Sequence, residues 1–245
     1  MHKYVMLLAP ILLCHVAMAG SPGVASQVKA LWQAQDYTAA HALLSPLVTK
    51  KTKDAELLAL LGQTEAALHN NEQAEALLEK ALKYDANNAD YQHWYATVSC
   101  NLAAGASMFS ALGYAKRCKK AYQAALELSP DNPRSYIALG SFLNQAPGIA
   151  GGDKAEALKL AQKLKQLDPL QGALLALNAS DLTDDTVFTA LLAEDELLSK
   201  RPESYLQRGV AFSRTDEHAK AISLFEQALT MPADDDAAVD AKAQA

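Results

Sequence analysis

The sequence predicts an all-α fold, a right-handed α-solenoid of antiparallel helix pairs, and three observations carry that expectation. Ala and Leu supply 48 and 38 of the 245 residues, against 7% aromatics, 11 Gly and 9 Pro. Both residues stand high in helix propensity, and a chain that is 50% hydrophobic can bury a core. The second observation is a recurring spacing. Leu58-x-x-Leu61-Gly62 with Ala74, Leu78 and Ala81-Leu82 returns as Tyr136-x-x-Leu139-Gly140 with Ala157, Ala161 and Leu164. It returns again as Tyr205, Gly209, Phe212, Ala221, Phe225 and Ala228-Leu229. Third, Pro130 and Pro169 stand in Ser-Pro-Asp-Asn-Pro and Asp-Pro, where a residue unable to continue the hydrogen-bond ladder ends one helix before the next begins. Repetition of a two-helix unit means that each unit buries its apolar face against its neighbours.

Taken in order, the chain opens with an address. Met1–Lys3 is cationic, Tyr4–Val16 is apolar, and Ala17-Met18-Ala19 has the small-x-small form that a signal peptidase cuts after, so residues 1–19 read as a signal peptide. The apolar run falls short of the roughly 20 residues that span a bilayer, and Leu13 before Cys14 is too bulky for a lipoprotein box. The repeat domain is expected over 20–230, with helix pairs over 24–48, 54–84, 88–129, 133–168 and 170–230. The last holds a degenerate pair before a regular one, giving five to six pairs. Two insertions interrupt the pattern, near 103–113, with the second helix starting near Gly113, and at 146–153. Residues 231–245, with Asp234-Asp235-Asp236, read as an acidic, Ala-rich, flexible tail.

The spacing of large residue, Leu-Gly, Ala, large residue, Ala-Leu and closing Pro resembles that of tetratricopeptide-repeat proteins over nearly all of 20–230. The Gln145–Asp153 loop with Leu167-Asp168-Pro169 is similar to exported bacterial members of that family. A fainter likeness, of Trp94-Tyr95-Ala96 and Cys118-Lys119-Lys120 to the repeat domain of regulators of microtubule dynamics, is one of architecture. The resemblance implies a superhelix whose concave wall is formed by the first helix of each pair and which binds extended peptides or partner helices. By register the exposed first-helix positions are Gln63 and Ala66, then Gln92, His93 and Ser99, then Arg134, Ser141, Asn144 and Gln145. Members that clamp a C-terminal carboxylate use Lys and Asn where this chain has Ala59 and Gln63, which points away from that role. An amide-rich groove with one Arg suits recognition of a peptide backbone.

The remaining residues bear on chemistry. A formal charge of -6 and pI near 5.5 leave no broad basic surface for nucleic acid or anionic membranes. His41, His69, His93 and His218 are scattered and no Cys-x-x-Cys exists, so neither a metal nor another cofactor is expected. No Gly-x-Ser-x-Gly elbow marks a hydrolase, and Asp184-Asp185 suits a helix start. Loss of the leader removes Cys14 and leaves Cys100 and Cys118 as a pair able to bridge in an oxidising compartment, or to stay as two buried thiols. Lys116, Arg117, Lys119 and Lys120 form a basic cluster that suits a solvated face or an acidic partner. The loop of Gly148, Gly151, Gly152 and Lys154 has two readings: a turn whose Asp153 caps the following helix, or an anion site at that helix's N-terminus. The expectation is therefore an exported, non-catalytic scaffold of the bacterial periplasm binding another protein or peptide, with a small-ligand or anion-binding solenoid as the alternative.

Overall fold

The computed structural model describes residues 21–231. Among them lie thirteen α-helices and no strand: α1 Ser21–Gln33, α2 Tyr37–Leu44, α3 Ala55–Ala67, α4 Asn71–Tyr84, α5 Ala89–Gly105, α6 Met108–Leu128, α7 Pro133–Gln145, α8 Lys154–Leu167, α9 Pro169–Ala179, α10 Asp185–Glu194, α11 Glu196–Ser199, α12 Pro202–Ser213 and α13 His218–Thr230. The expected leader and acidic tail lie outside the described residues.

Helix starts are written in side chains. Asp54, Asn132 and Asp153 each accept a hydrogen bond from a backbone N–H of the first turn that follows. Pro133, Pro169 and Pro202 occupy the first turn, where a missing N–H costs nothing. Asp168 serves two helices at once: its N–H donates to the Leu164 carbonyl at the end of α8, and its carboxylate accepts from the Gln171 N–H at the start of α9.

The helices stack in chain order as an all-α solenoid. α1–α2, α3–α4, α5–α6, α7–α8 and α12–α13 pack as pairs, and α4, α6 and α8 pack onto the helix after each. The degenerate segment differs: α9 lies on α8, and its expected second helix is split into α10 and α11 at Asp195, which caps α11. Four apolar clusters join neighbouring units, the largest running from Ala96 and Cys118 through Tyr136 and Leu139 to Leu164 and Leu175.

Glycines mark the closest approaches. A Cβ on Gly62 would stand 2.8 Å from Leu78 and one on Gly209 2.5 Å from Phe225, both within one helix pair. Gly140 instead meets Leu175 of α9, so the same repeat position seals a junction between units.

The two insertions resolve differently. The first makes no loop: α5 extends to Gly105 and α6 begins at Met108, five residues before the expected Gly113 start. Met108–Leu112 contains no breaker, and Gly113 is tolerated inside the helix at the ordinary cost of about 1 kcal/mol. The second is a loop. A 3-10 turn over Gly148–Ala150 leads to Gly151 at φ 101, and Gly152 lies so close to its own loop that a Cβ would fall 1.7 Å from the Ala146 carbonyl oxygen.

A disulfide joins Cys100 to Cys118, pinning α5 to α6 with 5.3 Å between Cα atoms. Glu75 on α4 fixes the same region: it accepts from Ser99 Oγ at 3.0 Å and from Arg117 Nε at 3.0 Å, tying α4, α5 and α6 together.

Two consequences are measurable. Gly152→Ala should lower the free energy of urea unfolding by about 1–3 kcal/mol through overpacking, whereas Gly148→Ala, whose Cβ meets nothing within 4 Å, should stay within about 0.5 kcal/mol of the parent. Reduction of the Cys100–Cys118 bond should cost about 2–4 kcal/mol in the same assay, and free thiols in the unreduced protein would contradict the pairing.

Candidate functional site

The first helices α3, α5, α7, α9 and α12 carry the candidate side chains, and the structure sorts them. At the α5–α7 junction the exposed Arg134 guanidinium stands over the Trp94 ring, 5.2 Å from its centroid. Behind Trp94 lies His93, expected in the groove but only 7% exposed, with its ring 5.4 Å from that of Tyr122. Ser99, also expected in the groove, is fully buried because it faces α4 and Glu75. Ala66 is buried as well. Both polar corrections have one cause. α5 is clamped on two sides, by α4 and by the disulfide-linked α6, so Ser99 meets Glu75 of α4 and His93 meets Tyr122 of α6 where a thinner wall would leave them open. Gln92 stays half-buried, but its Nε2 donates to the Ala86 carbonyl at 3.2 Å.

Burial, and next the positive charge of Arg134, push the His93 imidazole from its ordinary 6.5 down to about 4. Its Nδ1 is buried without a hydrogen-bond partner. Beside it Thr97 Oγ1 donates to the His93 carbonyl and lies 3.0 Å from the Tyr122 hydroxyl, which burial pushes above its ordinary range.

Ser141, Asn144 and Gln145 remain accessible. Asn144 and Gln145 form one wall of a cleft of about 810 Å³ between α7, the end of α9 and α12. The opposite walls bring in Asn178, Gln207 and Arg214, with Leu206, Val210 and Ala211 beneath, and Asp181 at one edge. The Gln207 side-chain oxygen is buried with no partner. The Thr183 hydroxyl and N–H hold the Asp181 carboxyl below the usual carboxylate range. The cleft therefore offers amide donors and acceptors, cations from Lys154 and Arg214, an anion and an apolar floor, which together can satisfy a peptide backbone and its side chains.

Asn178, Asp181, Gln207 and Arg214 were not read from sequence. Residues 170–200 lack the repeat spacing, so no register reached Asn178 and Asp181. Arg214 was within reach: it follows Tyr205 by the nine residues that separate Gln145 from Tyr136.

The 148–154 loop adopts the capped-turn form. The N–H groups of Ala150 and Gly152 bond the Pro147 carbonyl, that of Gly151 bonds Gly148, and that of Asp153 bonds Leu143. The Asp153 carboxylate occupies the first turn of α8, where it accepts from Glu156 N–H, and Lys119 Nζ donates to the Gly151 carbonyl at 3.1 Å. The N–H groups of Ala150 to Asp153 are thus engaged within the loop and α7, the Asp153 carboxylate stands at the helix start that an anion would approach, and Lys154 lines the polar cleft.

Among the described residues no three of His, Cys, Asp or Glu gather as a metal site, and no helix is long and apolar enough to cross a membrane. Family models of the tetratricopeptide repeat match residues 31–96, 104–132 and 202–235. The chain is a tetratricopeptide-repeat protein. Solved structures agree in fold. TTC0263, a tetratricopeptide-repeat protein of Thermus thermophilus, is similar at 14% identity and TM-score 0.56 over 86% of this chain and 100% of that one. MamA of Desulfovibrio magneticus RS-1 is similar at 16% identity and TM-score 0.50, covering 87% of this chain and 96% of that one. An O-GlcNAc transferase of Thermobaculum terrenum shares 24% identity and TM-score 0.50 over 61% of this chain and 26% of that chain. At such identities the likeness is of fold alone. No curated protein sequence matches this repeat protein.

An NMR titration of the His93 ring should give a midpoint near pH 4, and Arg134→Ala should raise it. Because the folded value lies below the ordinary 6.5, the unfolded chain takes up the proton first as pH falls. This residue's contribution to stability is complete above about pH 6.5 and declines as pH falls toward 4. A midpoint near 6.5 would contradict the burial of the ring.

Proposed function

We propose that this protein is an exported scaffold of the bacterial periplasm that binds another protein or peptide along the concave face of its solenoid, its work being binding rather than catalysis. The observation that carries the reading is the polar cleft between α7, α9 and α12. There, amides from three successive first helices converge over an apolar floor, and the Gln207 oxygen is buried without a donor. The exposed amides of Gln145 and Asn178 can pair with both the N–H and the C=O groups of a bound peptide backbone. Arg214 and Asp181 then read the charge of the bound segment, since both lie at the cleft with opposite sign. The reading needs no cofactor, and the net charge of -6 disfavours a polyanionic partner such as nucleic acid. Export is supported by the leader-like sequence Met1–Ala19 and by the Cys100–Cys118 bond, which persists in oxidising compartments.

Chemical crosslinking of cell-envelope extract to the parent chain and to the double variant Asn144→Ala/Arg214→Glu tests the cleft. The parent should retain a defined protein that the variant loses by roughly tenfold or more, as expected when one amide contact is removed and one charge facing the bound segment is reversed. Equal retention by both chains retires the polar cleft as the docking site.

A further inference from the structure

The two insertions that interrupt the repeat pattern meet in space. The end of α5 and the start of α6 face the 146–153 loop across an open cleft of about 670 Å³, separate from the polar one except for Gln145, which borders both. Its walls are apolar: Ala103 and Ala104 of α5, Leu112 and Ala115 of α6, Phe142 of α7 and Ile149 of the loop. The cleft exists because first-helix packing is interrupted there. α1, α3 and α5 pack in succession, as do α7, α9 and α12, but α5 reaches α7 chiefly through α6. Large apolar side chains of its lining stand open to water, with Met108 75% and Ile149 78% exposed. A contiguous apolar surface of this kind marks an interaction site on a water-facing protein. Its volume falls within the range of about 300–1,000 Å³ that encloses a whole small molecule, so one side chain does not fill it.

A cationic rim adjoins it. Ile149 and Ala150 also wall a shallower depression with Lys116 and Lys120, neighbours one turn apart on the exposed face of α6. Of the four basic residues in this cluster, Arg117 is bound to Glu75 and Lys119 to Gly151 and Glu156. Lys116 and Lys120 make no ion pair among the described residues.

We propose that this cleft docks an amphipathic helix of another protein, with its apolar face in the cleft and acidic residues on its flank against Lys116 and Lys120. No strand among the described residues offers a sheet edge, and the mainly apolar lining offers few partners to an extended backbone, which favours a helix, whose own backbone groups are already paired. Charge selects the partner. A second copy meeting the cleft about a two-fold axis would set Lys116 and Lys120 against their equals. The chain's own acidic end, residues 232–245, offers a single branched apolar residue, Val239. An open mouth with Met108 of α6 on one side and Ile149 of the loop on the other suits a body wide enough to cover both, as a helix is and a single acyl chain is not.

The test is a display library of 18-residue helical peptides selected against the full chain. Enriched peptides should carry large apolar residues at i, i+3 or i+4 and i+7 with Asp or Glu beside them. Their affinity should fall roughly tenfold for Lys116→Glu/Lys120→Glu and for Ala104→Trp, which puts a bulky ring into one wall of the cleft from an exposed position, and should be unchanged for Asn144→Ala/Arg214→Glu, so that the polar and apolar clefts are judged separately. The proposal is overturned by enrichment of neutral or basic peptides, by no enrichment, or by binding insensitive to Ala104→Trp. It is equally overturned if light scattering shows a dimer that Ala104→Trp dissociates, or if palmitate binds in the cleft while every peptide fails.

Discussion

Close approach between helices at small residues is the constraint on which the rest of the molecule depends. Ala74, Ala81, Ala121, Ala125, Ala157, Ala161, Ala221 and Ala228 are all buried, two to each of α4, α6, α8 and α13, while Gly62 and Gly209 admit side chains of α4 and α13 and Gly140 admits Leu175 of α9. Each pair buries too little alone, so stability comes from apolar clusters that bridge units, and every cluster draws on more than one pair. The apolar and the polar cleft both lie where regular pairing lapses. The apolar cleft sits where α5 and α7 are separated by an extended α6, and the polar cleft sits where the irregular segment from the end of α9 meets α7 and α12.

The lapses are held rigid rather than left loose. Around the lengthened α5–α6 pair the chain concentrates its covalent bond, the Glu75 clasp on Ser99 and Arg117, and the Arg134–Trp94 stack. Lys119 fastens the 146–153 loop to α6 through Gly151 and Glu156. Two irregular insertions are thereby fixed in position relative to each other, and a binding surface built on fixed elements loses little conformational entropy when it is occupied.

The fold was legible because its signal is periodic: a residue at a repeat position is repeated evidence, and three copies gave the pairing, the closing prolines and the small-residue contacts. Asp153 was legible as a cap because its task is local, an acceptor three residues before the N–H it serves. Site residues were harder. His93 and Ser99 have the right spacing for the groove, yet what faces them is decided by α4 and α6, which are distant in sequence or displaced by the insertion. The early start of α6 followed from the same blindness: Gly113 looks like a boundary in isolation, whereas the helix runs through it because nothing on either side opposes continuation. Arg214 shows the converse, a residue whose role follows once the register of one unit is carried to another.

Charge then divides the surface by function. The chain as a whole is acidic at -6, so polyanions are repelled at long range and only a partner with a local acidic patch gains at Lys116 and Lys120. Basic residues are numerous in α6, but half are spent internally, which lowers the local field and leaves two cations one turn apart. Two exposed charges contribute little affinity on their own, each pair being worth about 0.2–1 kcal/mol. Beside an apolar cleft they instead set orientation: burial supplies the attraction, and the position of the acidic flank decides which way round a helix lies. Selectivity in this protein is thus a property of where charge has been left unpaired, and the apolar interruptions of the repeat are what make that choice consequential.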